Sequence, residues 1–152
     1  MIAVIQRINR ARVISDGQLT ADIGKGLYIL LGVSKEDNEI DAKLLSDKIA
    51  KLRIFSDENG KMNLSVKDID GEVVVVSNFT LLANYSHGNR PEYFGAAAPV
   101  VANSLYEHFV SLISKEVKNC MTGIFGADMK TEMETDGPVT IVMDSNLLKK
   151  KG

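Results

Sequence analysis

Hydrophobic and polar positions change period several times along the chain, and each change marks an element. The run IAVIQRI (2–8) reads as a strand. Strand character continues from Ala11 to Ile14, with alternation broken by Arg7, Asn9, Arg10 and Arg12. Ser15-Asp16-Gly17-Gln18 holds the Asp-Gly signal of a hairpin, and Leu19 to Ile23 is the returning strand. IGKG (23–26) is a second turn. LYILLGV (27–33) is short and almost continuously apolar, the pattern of a strand covered on both faces. From Asn38 the period becomes helical. Ile40, Leu44, Leu45, Ile49 and Leu52 share one face, and Asp37 or Asn38 can cap the start. SDENGKMN (56–63) is a polar turn, and Asp70-Gly71 is another before the β-branched strand Val73–Val76.

Residues 83–98, ANYSHGNRPEYFGAAA, form the longest irregular stretch, and loops of this length often carry function. Pro99 suits the first turn of a helix, and Val101, Leu105, Phe109, Leu112 and Val117 predict a second amphipathic helix. The segment TGIFGADMKTEMETDGPVTIVMD (122–144) reads as two strands joined at a Gly-Pro corner. No repeat, linker or low-complexity tract interrupts the chain. The expected architecture is one mixed α/β (α+β) domain over residues 1–152, with two helices covering a largely antiparallel sheet system.

Composition narrows the function classes. The chain has 152 residues, 45% hydrophobic and 25% charged, ordinary values for a globular domain. It has no Trp and only 6% aromatics, so the core must be mainly aliphatic. One cysteine, Cys120, excludes an internal disulfide. Two histidines and no CxxC or HxxxH spacing argue against a metal site, and no cofactor is expected. The longest apolar run is too short to span a bilayer, and nothing resembles a signal peptide. A reducing cytoplasm is the expectation. The net charge of −2 and pI near 5.7 argue against a protein that coats duplex nucleic acid. They leave open a grip on the end of an RNA. The LLKKKG tail reads as a solvated terminus.

The usual catalytic sets are missing: no GxSxG, no Walker loop, no GxGxxG. His87 lies in the long loop and reads as exposed. His108 sits mid-helix and reads as structural. The informative stretch is VVVVSNFTLL (73–82), where a buried strand ends abruptly in Ser77-Asn78-Phe79-Thr80. A strand end offers side chains and free N–H groups to a pocket, which suits oxyanion stabilisation. It equally suits a strand terminus satisfying its own backbone.

SNFTL resembles the SQFTL motif of the D-aminoacyl-tRNA deacylase family, and TDGPVT resembles that family's second motif, Asn-x-Gly-Pro-Val-Thr. The likeness extends through IAVIQRINRARV, GKGLYILLGV, LRIFSDENGKMNLSV, GNRPEYFGAAAP and TGIFGADM, all in order. The resemblance implies a homodimer with two active sites at the subunit interface, acting on the 3′ end of aminoacyl-tRNA without metal or membrane. It implies hydrolysis of D-aminoacyl esters such as D-Tyr-tRNA, and brings in glycyl-tRNA mischarged on tRNA(Ala) as a second substrate.

It also implies roles for residues. A cis Gly137-Pro138 would reach into the neighbouring subunit's pocket and aim its carbonyls where an L side chain would go, so that chirality is enforced by rejection. Thr80 matches the position once proposed as nucleophile, but no base is poised to activate it. The preferred route is attack by the ribose 2′-OH of the terminal adenosine, or by water it orients. Ser77 and the Phe79 N–H would polarise the ester carbonyl, and Thr80 would position substrate. Arg7 would brace the Gly-Pro loop through its carbonyls, and Phe125-Gly126-Ala127 would flank the adenine. Two positions depart from the family: Asn78 stands for Gln, and Thr135 for Asn. Each shortens or reduces the hydrogen-bonding set. A related branch that tolerates L-alanine carries a trans Gly-Pro and lacks the serine and phenylalanine; Ser77 and Phe79 set this chain nearer the D-specific branch. Two other readings compete. One is a non-catalytic nucleic-acid-binding homodimer on the same scaffold. The other is a structural dimer without ligand.

Overall fold

The computed structural model describes residues 1–150. Its spine is β1 (Ile2–Ser15), a 14-residue strand with partners on both edges. On one edge, Ile2–Ile8 pairs antiparallel with β3 (Gly26–Gly32) and Ala11–Ser15 with β2 (Gln18–Ile23). The β1–β2 turn uses Asp16 and Gly17 at φ 46° and 83°, the left-handed pair an Asp-Gly hairpin supplies. On the other edge β1 pairs with β8 (Met129–Asp144) almost from end to end. β3 then pairs in parallel with β6 (Glu72–Ser77), and β6 in parallel with β7 (Cys120–Thr122). The sheet is therefore antiparallel around β1 and parallel around β6. A short hairpin, β4 (Phe55–Ser56) with β5 (Met62–Leu64), stands apart from it.

β3 and β6 are buried on both faces. Leu27, Ile29, Leu31, Val73 and Val75 face a core with Leu45 and Ile49 of α1 (Glu39–Ala50) and Phe109 and Ile113 of α2 (Pro99–Ser114). Tyr28, Val74 and Val76 face a second cluster with Ile8, Val13 and Ile23. Each such aliphatic side chain contributes roughly 1.5–3 kcal/mol of burial.

The helices differ from their sequence patterns in detail. Asn38 caps α1: its Oδ1 accepts from Ile40 N–H, and Asp41 answers from the other side of the capping box. Ile40 is 62% exposed, because α1 turns Asp41, Ala42, Leu45 and Ile49 inward instead. Asp41 can be buried because its carboxylate is paired. It accepts from Ser145 Oγ at 2.6 Å and Lys149 Nζ at 2.9 Å. Burial pushes its pKa up, but the bonds from Ser145, Lys149 and the Asn38 amide outweigh this and bring it down to about 2. Lys149 thereby ties down the start of the tail read as solvated; Lys151 and Gly152 lie outside the described residues. In α2 Pro99 opens the helix, Val101 faces outward, and Val117 lies beyond its end.

The expected C-terminal hairpin is absent. β7 belongs to β6, and β8 is one strand. The long outer edge of β1 offers β8 a partner on both sides of the Gly-Pro. The pairing steps from Gln6–Thr140 to Ile8–Thr135, so Asp136 to Val139 bulge out opposite Arg7 alone. No helix among the described residues is long and apolar enough to cross a membrane.

Candidate active site

β3 and β6 run parallel and end together, with Leu31 paired to Ser77. The Asn78 N–H makes one last bond, to Leu31 O at 2.8 Å, and the chain then enters a 3₁₀ turn, Phe79–Leu82. This turn packs tightly over Gly32. A Cβ there would stand 2.6 Å from Leu82 Cδ2 and 3.0 Å from Asn78 O and Leu81 Cβ, so a side chain would force Leu82 to move and press on the turn. Beyond the strand ends opens a cavity of about 1070 Å³. Its walls are mainly apolar, with Leu31, Val76, Ala102 and Phe125 among them, and among the described residues Lys35 is the one charged side chain that lines it.

The cavity's polar groups divide into those already engaged and those free. Tyr28 Oη and Thr131 Oγ1 bond each other at 2.9 Å, and Tyr106 Oη donates to Val75 O at 2.7 Å. Burial raises the pKa of both phenols, so both stay neutral. The Ser77 hydroxyl and the Phe79 N–H have no hydrogen-bond partner among the described residues, although both residues line the cavity. They are two of the unengaged donors at the end of a buried strand.

Asn78 is used locally. Its Oδ1 accepts from the Thr80 N–H at 3.2 Å and from the Thr80 hydroxyl at 2.5 Å. The short amide thus caps the 3₁₀ turn, an Asx turn that the longer Gln would not close as readily. Thr80 lies outside the cavity lining, exposed, with its hydroxyl held by an amide oxygen that is no base. Phe79 is 59% exposed, and its ring meets that of Tyr93 edge-on at 5.0 Å. Phe125, Gly126 and Ala127 also line the cavity. Gly126 sits at φ 79°, Ala127 N–H bonds Ile124 O at 3.2 Å, and the Phe125 ring lies 6.0 Å from that of Tyr106.

The second motif is elsewhere. Gly137 and Pro138 are exposed, joined by a cis peptide bond, and do not line this chain's cavity. Gly137 has φ 132°, and a Cβ on it would stand 2.7 Å from Val139 N. Arg7 holds the base of the bulge. Its Nε lies 3.1 Å from both the carbonyl and the carboxylate of Asp136, and its Nη1 donates to Ile54 O at 2.8 Å. The guanidinium therefore grips the residue before Gly137 and the residue before β4, rather than the Gly-Pro carbonyls. Thr135, paired with Ile8, is exposed at the start of the bulge.

The sequence-predicted residues thus form two groups. Ser77, Asn78, Phe79 and Phe125–Ala127 share one cavity; Arg7, Thr135, Gly137 and Pro138 share the bulge; Thr80 sits beside the first. Sequence reading missed Lys35, Tyr28 and Thr131, because nothing local marks a strand or turn residue as facing a cavity. Phe94 and Tyr93, which also line it, belong to the long irregular loop whose length was the available signal. Among the described residues no group of three or more His, Cys, Asp or Glu is placed to hold a metal.

Comparison with known proteins agrees with the motifs. The family model described as D-Tyr-tRNA(Tyr) deacylase matches residues 4–144. A protein of Flavobacterium johnsoniae named D-aminoacyl-tRNA deacylase is 53% identical over 146 residues, 95% of this chain and 97% of its own. One of Anaeromyxobacter dehalogenans with the same name is 50% identical over 148 residues, 97% and 99% of the two chains. Among solved structures, one titled c-Myc DNA unwinding element binding protein superposes with a TM-score of 0.89 at 37% identity, covering 95% of this chain and 98% of that one. Another, a probable eukaryotic D-amino acid tRNA deacylase, gives 0.76 at 14% identity over 94% and 98%, a likeness of fold. On both motifs, on the family match and on these relatives, the chain belongs to the D-Tyr-tRNA(Tyr) deacylase family.

Proposed function

We propose that this protein hydrolyses the ester bond of D-aminoacyl-tRNA, releasing free tRNA and the D-amino acid, and so removes wrongly handed residues before translation uses them. The observation that carries this reading is the pair of unengaged donors, the Ser77 hydroxyl and the Phe79 N–H, at the edge of a large apolar cavity. An aminoacyl ester is already activated. Two aligned donors on its carbonyl oxygen stabilise the charge that develops as the tetrahedral intermediate forms. The attacking group is water, oriented by the ribose 2′-OH, since attack by that hydroxyl itself would only shift the acyl group to the 2′-oxygen. In the net reaction water's OH joins the acyl carbon, the ester C–O bond breaks, and the ribose oxygen gains the proton. Thr80 is a positioning residue in this scheme. Its hydroxyl donates to the Asn78 amide, which cannot deprotonate it, so it is a poor nucleophile.

Phe125, Gly126 and Ala127 flank the terminal adenine. The Gly137-Pro138 bulge, exposed and braced by Arg7, inserts into the cavity of a second copy. It screens the α-carbon there by occupying the space an L side chain would need. The exposure of the bulge and its absence from this chain's own cavity support a homodimer with interfacial sites. Glycine has no side chain to reject, so glycyl-tRNA mischarged on tRNA(Ala) passes the same gate. The whole chain acts as one deacylase domain in the cytoplasm; the family match over 4–144 supports the first part. A non-catalytic nucleic-acid-binding homodimer is not favoured, since the net charge is −2.

The test is ester loss from D-Tyr-tRNA and L-Tyr-tRNA above the spontaneous background. Selective loss of the D-ester is expected. Loss of neither would overturn the reading and put binding without turnover in its place.

A further inference from the structure

Lys35 and Phe94 stand together at the cavity and have no part in the chemistry above. Lys35 lies three residues past the end of β3, and its backbone N–H bonds Gly95 O at 3.0 Å, the residue next to Phe94. Ser34 and Ala96 bridge at the same place. Lys35 is exposed, is the one charged side chain lining the cavity, and pairs with no carboxylate among the described residues. Phe94 is 77% exposed, an unusual state for a phenylalanine on a cavity wall. The acid of this loop, Glu92, is committed to the Phe94 N–H at 2.8 Å. A free cation and an exposed aromatic ring on one cavity are the two kinds of group that single-strand sites combine. The cation takes a phosphate and the ring stacks on a base. The start of α2, Ala98 and Pro99, lines the same cavity without an acidic residue in its first turn, so the local field is not cancelled from that side.

Resting on the reading of the cavity as the aminoacyl-adenosine site, we infer that Lys35 and Phe94 bind the nucleotide next to the terminal adenosine. Lys35 pairs with the phosphodiester that joins the two nucleotides, and Phe94 stacks on the preceding base. This gives an acidic protein a grip on the RNA end through one charge and one ring rather than a basic face.

Three measurements test it. The first compares Lys35→Ala and Phe94→Ala with wild type on D-Tyr-tRNA and on D-tyrosyl-adenosine, which lacks both the phosphodiester and the second base. Roughly tenfold loss of kcat/KM is expected on the tRNA, with a loss on the adenosine ester at least fivefold smaller. Equal losses on the two substrates, or none on either, would overturn the inference. The second is the salt dependence of KM for the tRNA. Its logarithmic slope should fall by about 0.7 in Lys35→Ala and be kept in Lys35→Arg, as expected for one single-strand phosphate contact. An unchanged slope in Lys35→Ala counts against it. The third is binding of an uncharged RNA oligonucleotide ending in ACCA, against one that ends in a lone adenosine on a non-nucleotide linker. This needs no turnover, so it separates the inference from the deacylase reading. Weaker binding of the first RNA by both variants supports the inference even if no ester is cleaved, and unchanged binding defeats it even if D-Tyr-tRNA is hydrolysed.

Discussion

The strand end at Ser77 and the bulge at Gly137 both bear functional motifs, yet they are built in opposite ways. Ser77 and Phe79 look into a cavity that their own chain encloses, and their donors are unengaged. Gly137 and Pro138 project outward from β8, and every strong bond at the bulge goes to its base, where Arg7 meets Asp136 and Ile54. The first region is prepared to receive a ligand. The second is prepared to be inserted somewhere. In the homodimer proposed above, a two-fold axis would bring each bulge to the other copy's cavity.

The sharpest way to break this comparison is to damage each half separately and mix the products. Ser77→Ala removes one donor and should lower kcat/KM about 10²-fold. Gly137→Ala places a Cβ 2.7 Å from Val139 N at a φ of 132°, displaces the bulge, and should cost on the order of 10²-fold as well. If the halves meet between subunits, re-associating equal amounts of the two variants yields mixed dimers with one intact site each. Activity then returns to about a quarter of wild type. If each chain serves itself, the mixture stays as inactive as its parts.

A smaller effect separates stability from the site. Asp41 lies far from both halves in sequence and is held at about 2 by Ser145, Lys149 and the Asn38 amide. Its folded pKa is below the unfolded value, so its contribution is fully present above about pH 4 and is lost as pH falls toward 2. That contribution is about 2 kcal/mol. Denaturant unfolding of Asp41→Asn should show a loss of this size at pH 7 and a flatter acid limb, with the preference for the D-ester unaltered. A steep acid limb that survives the substitution would assign the acid sensitivity to other carboxylates.

The smallest effect concerns Asn78. Removing the amide in Asn78→Ala uncaps the turn that carries Phe79 and Thr80, at about 1 kcal/mol. The melting temperature should drop by roughly 2–4 °C. Because the Oδ1 engages Thr80, Asn78→Gln should not recover that loss in full. Full recovery would mean that the longer amide reaches the same partners, and that Asn78 is no adaptation of this turn.

Much of this molecule was legible from periodicity and turn chemistry, which are local. The Asp16-Gly17 hairpin, the β-branched run Val73–Val76, the doubly buried strand at Leu27–Leu31 and the helix opened by Pro99 each follow from residues within a few positions of one another. The motif resemblance depended on short ordered blocks, and it pointed to the family. Tertiary structure decided what depends on distant partners. β8 is one strand because the outer edge of β1 supports it across the Gly-Pro, and no local signal in 122–144 reports that edge. Ile40 is exposed because Asp41 finds Ser145 and Lys149 from the far end of the chain and can take the inward position. Lys35 became a candidate ligand group only when the parallel pairing of β3 with β6 and the bridge to Ala96 placed it on the cavity. Periodicity reports which face of an element is wet. It does not report what stands opposite that face, and that is set by packing between segments a hundred residues apart.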